Sequence, residues 1–249
     1  MTASIDLSDR LALVTGASRG LGYQIAKQMA AAGAHVIAVA RTVGGLEDLD
    51  DEIKADGNGA ATLVPLDLTD MQAIDRLGGI INERWGKLDI LVANAGMLGT
   101  ISPVGHVEAK TFEKVMTLNV TSQWRLIRSV DPLLRKSDAG RAIVLSSNAA
   151  HSARAFWGPY AASKAAIETL TRSWAAEVTD SPMRVNACDP GATRTAMRAL
   201  AMPGEDPKTL PDPAFTASKI LQMADSGLSH NGMIYQAKND RWVSHQQPS

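Results

Sequence analysis

Leu11-Ala12-Leu13-Val14-Thr15-Gly16-Ala17-Ser18-Arg19-Gly20-Leu21-Gly22 is the stretch that decides the fold of this chain. The apolar run at 11–14 predicts a short strand buried on both faces. From Leu21 onward, Ile25, Met29 and Ala32 share one stripe and predict a helix, which Gly33 stops in the usual left-handed position. Between the two lies a glycine loop. Glycines let the backbone turn tightly and let a pyrophosphate approach it, and the following helix N-terminus adds free N–H groups and a positive dipole end. The spacing is G-x-x-x-G-x-G, not G-x-G-x-x-G. A merely tight turn is the competing reading. The position between the first strand and first helix favours a nucleotide, held by Gly16, Ser18, Gly20, Leu21 and Gly22.

The same alternation continues along the chain. Strands are expected at 35–40, 62–64, 88–93, 142–145, 183–187 and 233–236, and helices at 46–55, 71–84, 111–134, 159–178 and 214–223. Turns are read at Asp56-Gly57-Asn58-Gly59 and Ser137-Asp138-Ala139-Gly140. Prolines 203, 207, 211 and 213 make 202–213 irregular. Repeating βα units predict an α/β, Rossmann-type, doubly wound parallel sheet with helices on both faces. A single domain is expected over 1–249, with its core at 9–242. Ligands of such sheets sit beyond the carboxyl ends of the strands.

Composition narrows the function classes. A formal net charge of -1 gives no reason to expect a nucleic-acid partner, and 4% aromatic residues disfavour base-stacking surfaces. The lone Cys188 excludes an intrachain disulfide, fits a reducing compartment, and reads as a small buried apolar residue before a nucleophile. Residues 1–9 carry acids and no apolar core, so no signal peptide is expected. The longest apolar run, 30–40, includes His35 and falls short of the ~18 residues of a membrane span. The expectation is a soluble, cytoplasmic protein without a membrane partner. Five histidines, at 35, 106, 151, 230 and 245, lack ligand spacing, so no metal is expected.

The choice of nucleotide rests on the end of the second strand. NAD binders usually place an acid there for the ribose 2′-hydroxyl. Here the strand ends Val39-Ala40-Arg41-Thr42, and the next acid is Glu47. Arg41, and Arg19 inside the glycine loop, can grip a 2′-phosphate by bidentate hydrogen bonds. The alternative is that both are surface charges. The missing acid and the two arginines favour NADP(H) over NAD(H).

Further on, Tyr160-Ala161-Ala162-Ser163-Lys164 places a phenol and an ammonium one helical turn apart. A nearby cation stabilises the phenolate and lowers the phenol pKa from about 10, which makes tyrosine usable as a general acid/base. A bare Y-x-x-x-K is most often an ordinary helix-surface pair; its surroundings decide.

Taken together, these motifs are similar to those of the short-chain dehydrogenase/reductase family, of the type about 250 residues long. The resemblance runs from Asp9 to Trp242. It rests on Thr15-Gly16 through Gly22, Asp67, Asn94-Ala95-Gly96, Asn119, Ser147, Tyr160 with Lys164, and Pro190-Gly191 with Thr195, in order. Ser147 lies 13 positions before Tyr160 (160 − 147), the family's spacing, while Ser146 is one too far. The resemblance implies Asn119, Ser147, Tyr160 and Lys164 as catalytic residues, with Asn119 bending its helix locally and holding a water that returns protons to Lys164. It also implies Asp67 and Leu68 at the adenine, Asn94, Ala95 and Gly96 at the adenosine ribose, and Pro190, Gly191, Thr193 and Thr195 at the nicotinamide end. Arg41, Thr42, Tyr160 and Lys164 complete the cofactor contacts. One departure is Ala93, where the family often has a first asparagine. Details around 137–140, 157–160 and 193–198 are similar to a bacterial branch without a settled substrate.

The resemblance and the residues together imply an NADP(H)-dependent oxidoreductase passing hydride between the nicotinamide and a small-molecule carbonyl or secondary alcohol. A catalytically silent NADP(H)-binding sensor or scaffold is the alternative; an intact Tyr/Lys/Ser set speaks against it. Isomerase or dehydratase chemistry is a third, disfavoured because only about 54 residues follow Thr195 (249 − 195). The resemblance implies a homotetramer or homodimer built on the long helices at 111–134 and 157–178. Residues 193–213 are expected to close the substrate side as a lid, with Met97, Leu98, Met197, Leu200 and Met202 suggesting an apolar pocket. Phe156 and Trp157 either wall that pocket or meet a subunit neighbour, and His151 reads as a loop residue before a substrate contact.

Overall fold

The protein is described by a computed structural model over residues 5–57 and 59–244. Asn58 of the expected turn, and His245, lie outside the described residues. Among the described residues one eight-stranded sheet forms, in the order β3-β2-β1-β4-β5-β6-β7-β8. The strands are β1 (Leu11–Thr15), β2 (His35–Ala40), β3 (Ala60–Pro65), β4 (Ile90–Ala93), β5 (Arg141–Leu145), β6 (Arg184–Asp189), β7 (Ile234–Gln236) and β8 (Arg241–Val243). The helices are α1 (Gly20–Ala31), α2 (Val43–Asp56), α3 (Met71–Trp85), α4 (Ala109–Met116), α5 (Ser122–Leu134), α6 (Ala149–Ser152), α7 (Gly158–Glu177), α8 (Ala196–Ala201) and α9 (Pro213–Leu221).

The central strands are apolar throughout because both faces are covered: every residue of β1, β4 and β5 is buried. One face carries α1, α2 and α9, whose Ile25, Leu49 and Ile220 meet Ala12, Val14 and Val36. The other carries α3, α5 and α7, whose Leu77, Leu126 and Ile167 meet Leu13, Val39 and Leu91. The strand order reverses between β1 and β4, which opens a crevice at their carboxyl ends. No described helix is long and apolar enough to cross a membrane.

The structure departs from the sequence reading in four places. The sheet is parallel from β3 through β7, but β8 pairs with β7 antiparallel. Trp242, stacked 5.0 Å from the Tyr235 ring, holds that short hairpin on the edge. The helix expected at 111–134 is broken by a π turn, Thr117–Thr121, between α4 and α5. Residues 202–213 are irregular as expected, apart from a 3-10 turn at Pro207–Thr209, but just before them an unexpected helix, α8, forms, capped by Thr195, which accepts from the Arg198 N–H. Finally, α2 starts at Val43, three residues before the expected Leu46. Glycine is needed there: a Cβ at Gly45 would come within 2.4 Å of the Ser18 carbonyl, so the start of α2 packs onto the glycine loop.

Candidate active site

The crevice is pinned at its root by Thr15, which is fully buried at the end of β1. Its hydroxyl donates to the Val92 carbonyl at 3.3 Å and accepts the N–H groups of Asn94 (3.0 Å) and Ala95 (3.1 Å). Asn94 returns the tie, its amide donating to the Thr15 carbonyl at 2.8 Å. The ends of β1 and β4 are thereby locked together. Gly16 takes φ +70°, a backbone region that favours glycine. A Cβ at Gly22 would come within 2.3 Å of the Asn94 amide nitrogen and 2.4 Å of the Gly16 carbonyl. The loop is therefore wrapped as tightly as glycine permits.

Its outer side stays open. A Cβ at Gly20 would meet only the Thr195 methyl, at 3.7 Å, so the loop after β1 faces the segment after β6. The N-cap residue of α1, Arg19, makes no side-chain cap, which leaves the helix start without a side-chain acceptor and suits it to an anion. Arg19, Arg41 and Thr42 are exposed beside it. Arg41 Nη1 stands 4.0 Å from Asp67 Oδ2, which brings together the residue expected at a 2′-phosphate and the one expected at an adenine. Asp67 is held below the usual carboxylate range, first by the Thr69 N–H and then by the Thr69 hydroxyl and Arg41. Leu68 beside it is buried. A tight glycine loop, an uncapped helix start and two exposed guanidiniums fit a dinucleotide with a 2′-phosphate.

At the far end, Gly191 adopts φ +71° and donates its N–H to Asp189 Oδ1 at 2.9 Å, turning the chain sharply after Pro190. Thr193 is buried and its hydroxyl meets that of Thr216 in α9 at 3.1 Å, which anchors the segment.

The four residues expected to be catalytic converge on this crevice. Asn119 sits in the π turn and is 1% exposed. Its amide clamps Met97 by two 2.8 Å bonds, accepting from the N–H and donating to the carbonyl, and donates to Ser163 Oγ in α7 at 3.0 Å. A Cβ at Gly96 would lie 3.2 Å from Asn119 Oδ1 and 3.7 Å from Lys164 Nζ, so the loop after β4, the π turn and α7 meet at this glycine. Lys164 is buried and donates to the Leu145 carbonyl at 2.7 Å. Tyr160 packs with Leu98, Ala149 and Trp157, and its ring meets Trp157 edge-on at 6.0 Å. Trp157 is thus a wall of the Tyr160 pocket, while Phe156 points to solvent.

The electrostatics differ from the expectation that Lys164 lowers the Tyr160 pKa. Burial pushes the phenol up to about 12; the Ser147 hydroxyl, hydrogen-bonded to it, pulls it back, and Asp189 adds a smaller upward push. The ammonium stands 5.8 Å from the ring centroid, and burial drags its own pKa down to about 8, with Glu168 opposing. Desolvation dominates both groups. Tyr160 is therefore fully protonated at neutral pH, poised to give a proton.

Two residues here carry weight that sequence reasoning did not assign. Thr15 is one. Glu168, buried one turn beyond Lys164, is the other: it accepts from the Ser146 hydroxyl and pairs with His151 at 2.7 Å. The i, i+4, i+8 spacing of Tyr160, Lys164 and Glu168 was the available signal. Cys188 is fully buried in β6 with its thiol pushed up by burial, as befits an inert core residue.

Comparison with known proteins agrees with this geometry. A family model described as short chain dehydrogenase matches residues 10–206. The uncharacterized oxidoreductase YciK of Escherichia coli K12 is 37% identical over 238 residues, which cover 94% of each chain. A short chain dehydrogenase from Shigella flexneri complexed with NADP is 36% identical, with a TM-score of 0.89 over 94% of this chain and 99% of that one. Another, from Escherichia coli CFT073 and complexed with NADPH, is 37% identical, with a TM-score of 0.88 over 93% and 98%.

Proposed function

This chain belongs to the short-chain dehydrogenase family, and from that premise we propose that it is an NADP(H)-dependent reductase of small-molecule carbonyl compounds, reversible to the secondary alcohol. The observation that carries the reading is that Ser147 reaches the Tyr160 hydroxyl while Lys164, one helical turn along, brings its ammonium beside Gly96 in the loop after β4. The nicotinamide, when bound, supplies or accepts the hydride. Gly16, Ser18, Gly20, Leu21 and Gly22 would hold its pyrophosphate, Arg19, Arg41 and Thr42 its 2′-phosphate side, and Asp67 and Leu68 its adenine. Asn94, Ala95, Gly96, Pro190, Gly191, Thr193 and Thr195 would flank the remainder. The relatives complexed with NADP and NADPH support the choice of nucleotide.

Tyr160 donates its proton to the substrate oxygen, and Ser147 donates a hydrogen bond to the same atom, stabilising the developing alkoxide. With its pKa pushed up to about 12, the phenol carries its proton at neutral pH, the state the reducing direction starts from. Lys164 keeps a positive charge behind the phenol while its proton is retained, and offers the N–H bonds not spent on Leu145 to the crevice. Asn119 holds the loop at Met97 and α7 in register, and in its family role would hold the water that returns protons to Lys164. Oxidation runs the same steps backwards, with Tyr160 as base.

Residues 193–213 act as the lid. They are tied to themselves by Arg198–Glu205 at 2.6 Å and by Arg194–Asp212, and Ala201 packs against the Tyr160 cluster. Exposed Phe112 on α4 and Trp124 on α5 lie on the long-helix face where a homotetramer or homodimer would form. A panel of ketones, aldehydes, quinones and secondary alcohols, followed by NADPH absorbance, tests the reading. Consumption of NADPH with a carbonyl is expected; a protein that binds NADPH and turns over none of the panel overturns it in favour of a sensor.

A further inference from the structure

Three side chains of α7 follow one another at intervals of one turn: Tyr160, Lys164 and Glu168. The proposed mechanism uses the first two and leaves Glu168 without work. A carboxylate that is 3% exposed needs partners, because an unpaired buried charge is costly. It has two. The Ser146 hydroxyl donates to Oε1, and His151 Nε2 stands 2.7 Å from Oε2. Those partners bracket Ser147, one residue before it and four after. A single carboxylate thus grips both ends of the segment that presents the serine hydroxyl to Tyr160.

We propose that Glu168 is a positioning residue for this reaction. Its carboxylate holds the Ser146–His151 segment so that Ser147 stays against Tyr160, and its charge, one turn below Lys164, keeps that ammonium protonated in a buried place. The inference rests on the assignment of Tyr160, Lys164 and Ser147. The groups facing Glu168 are Lys164 on its own helix, Ser146 at the end of β5, His151 on α6 and Asp189 at the end of β6. Burial pushes the Glu168 carboxyl above its usual range, with Asp189 adding to it and Ser146 and His151 pulling against it. The His151 side chain is half-exposed, so the buried carboxylate is tied on one side to a group at the surface.

Glu168→Gln tests this, because the amide keeps the shape and an acceptor oxygen but removes the charge. The first readout needs no substrate: the titration of Lys164 by NMR of protein labelled with carbon-13 at lysine Cε, its resonance assigned by loss in Lys164→Arg. A downward shift of about one pH unit is expected from a unit charge removed one helical turn away. The second is the pH profile of phenanthrenequinone reduction by NADPH. Its alkaline limb should move down by the same amount, with kcat reduced and KM within about twofold. Glu168→Asp should restore the wild-type Lys164 titration and only part of kcat, since the charge returns but the grip is shortened. An unmoved Lys164 titration together with an unmoved profile, even with a lowered melting temperature, would overturn the inference and leave Glu168 a purely structural residue. Wild type and Tyr160→Phe run alongside. If wild type reduces the quinone and Tyr160→Phe does not, an unchanged Glu168→Gln counts against Glu168 alone. If wild type is inactive, it is the functional reading that falls, while the NMR arm still decides whether Glu168 supports the charge on Lys164.

Discussion

Replacing Arg41 by alanine should raise the KM for NADPH while leaving that for NADH unchanged. The side chain is 68% exposed and its nearest carboxylate, Asp67, is 4.0 Å away, so it sits close to water and has no tight partner to give up. Two unit charges 4 Å apart are worth about 1 kcal/mol in bulk water and about 4 kcal/mol at an effective dielectric of 20. The exposure of Arg41 places it toward the lower figure, and a charge-assisted hydrogen bond at such a site contributes about 1.5–3 kcal/mol. The expected loss is therefore about 2 kcal/mol, or roughly a thirtyfold rise in KM for NADPH. Arg41→Asp should go further, since two carboxylates would then face a phosphate, and preference should swing toward NADH. Initial rates with both nucleotides, against one carbonyl from the panel, measure this directly. An unchanged KM for NADPH, or an equal weakening of both nucleotides, would refute it, because then Arg41 does not touch a 2′-phosphate.

Thr15→Val removes the hydroxyl that ties β1 to β4 and leaves the part-buried Ala95 N–H without its acceptor, while the Asn94 N–H keeps the Val92 carbonyl at 3.0 Å. It should cost about 1–3 kcal/mol, read by urea denaturation, and should weaken NADPH binding as the glycine loop loosens. Lys164 makes a pH prediction with a definite sign. Its pKa is lowered in the fold from 10.5 to about 8, so between those values the unfolded chain binds the extra proton. Stability from this group should therefore rise with pH through that window, while reductive turnover falls as the ammonium is lost; Lys164→Met should abolish the stability trend in the same melts.

Much of the fold was legible because its signals are local. The buried runs of β1, β2 and β5, the stripe of α1 and the turn at Gly33 need only their own neighbours to be read. What escaped was set by partners distant in the chain. Strand β8 is three residues long, and its place follows from Trp242 packing on Tyr235 and His230. A bend at Asn119 is implied by the resemblance, but its form, a π turn, lies inside an unbroken helical pattern and is stabilised by the Asn119 clamp on Met97, 22 residues away. Gly44 and Gly45 read as a poor helix start, and the contact with Ser18 that requires glycine is invisible without the fold. The candidate site residues were read from motif spacing and the family resemblance, neither of which encodes ionisation. Spacing puts a cation near Tyr160, whereas burial, which spacing does not encode, sends the phenol upward and Lys164 downward.

Central to the proposed function is that Tyr160 hands its proton to a carbonyl oxygen beside bound NADPH. Calorimetric titration with NADPH and a stopped-flow single turnover, on wild type and Tyr160→Phe, test it in one comparison. Nucleotide affinity should stay within about twofold while the turnover rate drops by at least about two orders of magnitude, in line with the contribution of a positioned general acid. A Tyr160→Phe protein that still oxidises NADPH at the wild-type rate, or one that no longer binds it, would contradict the assignment.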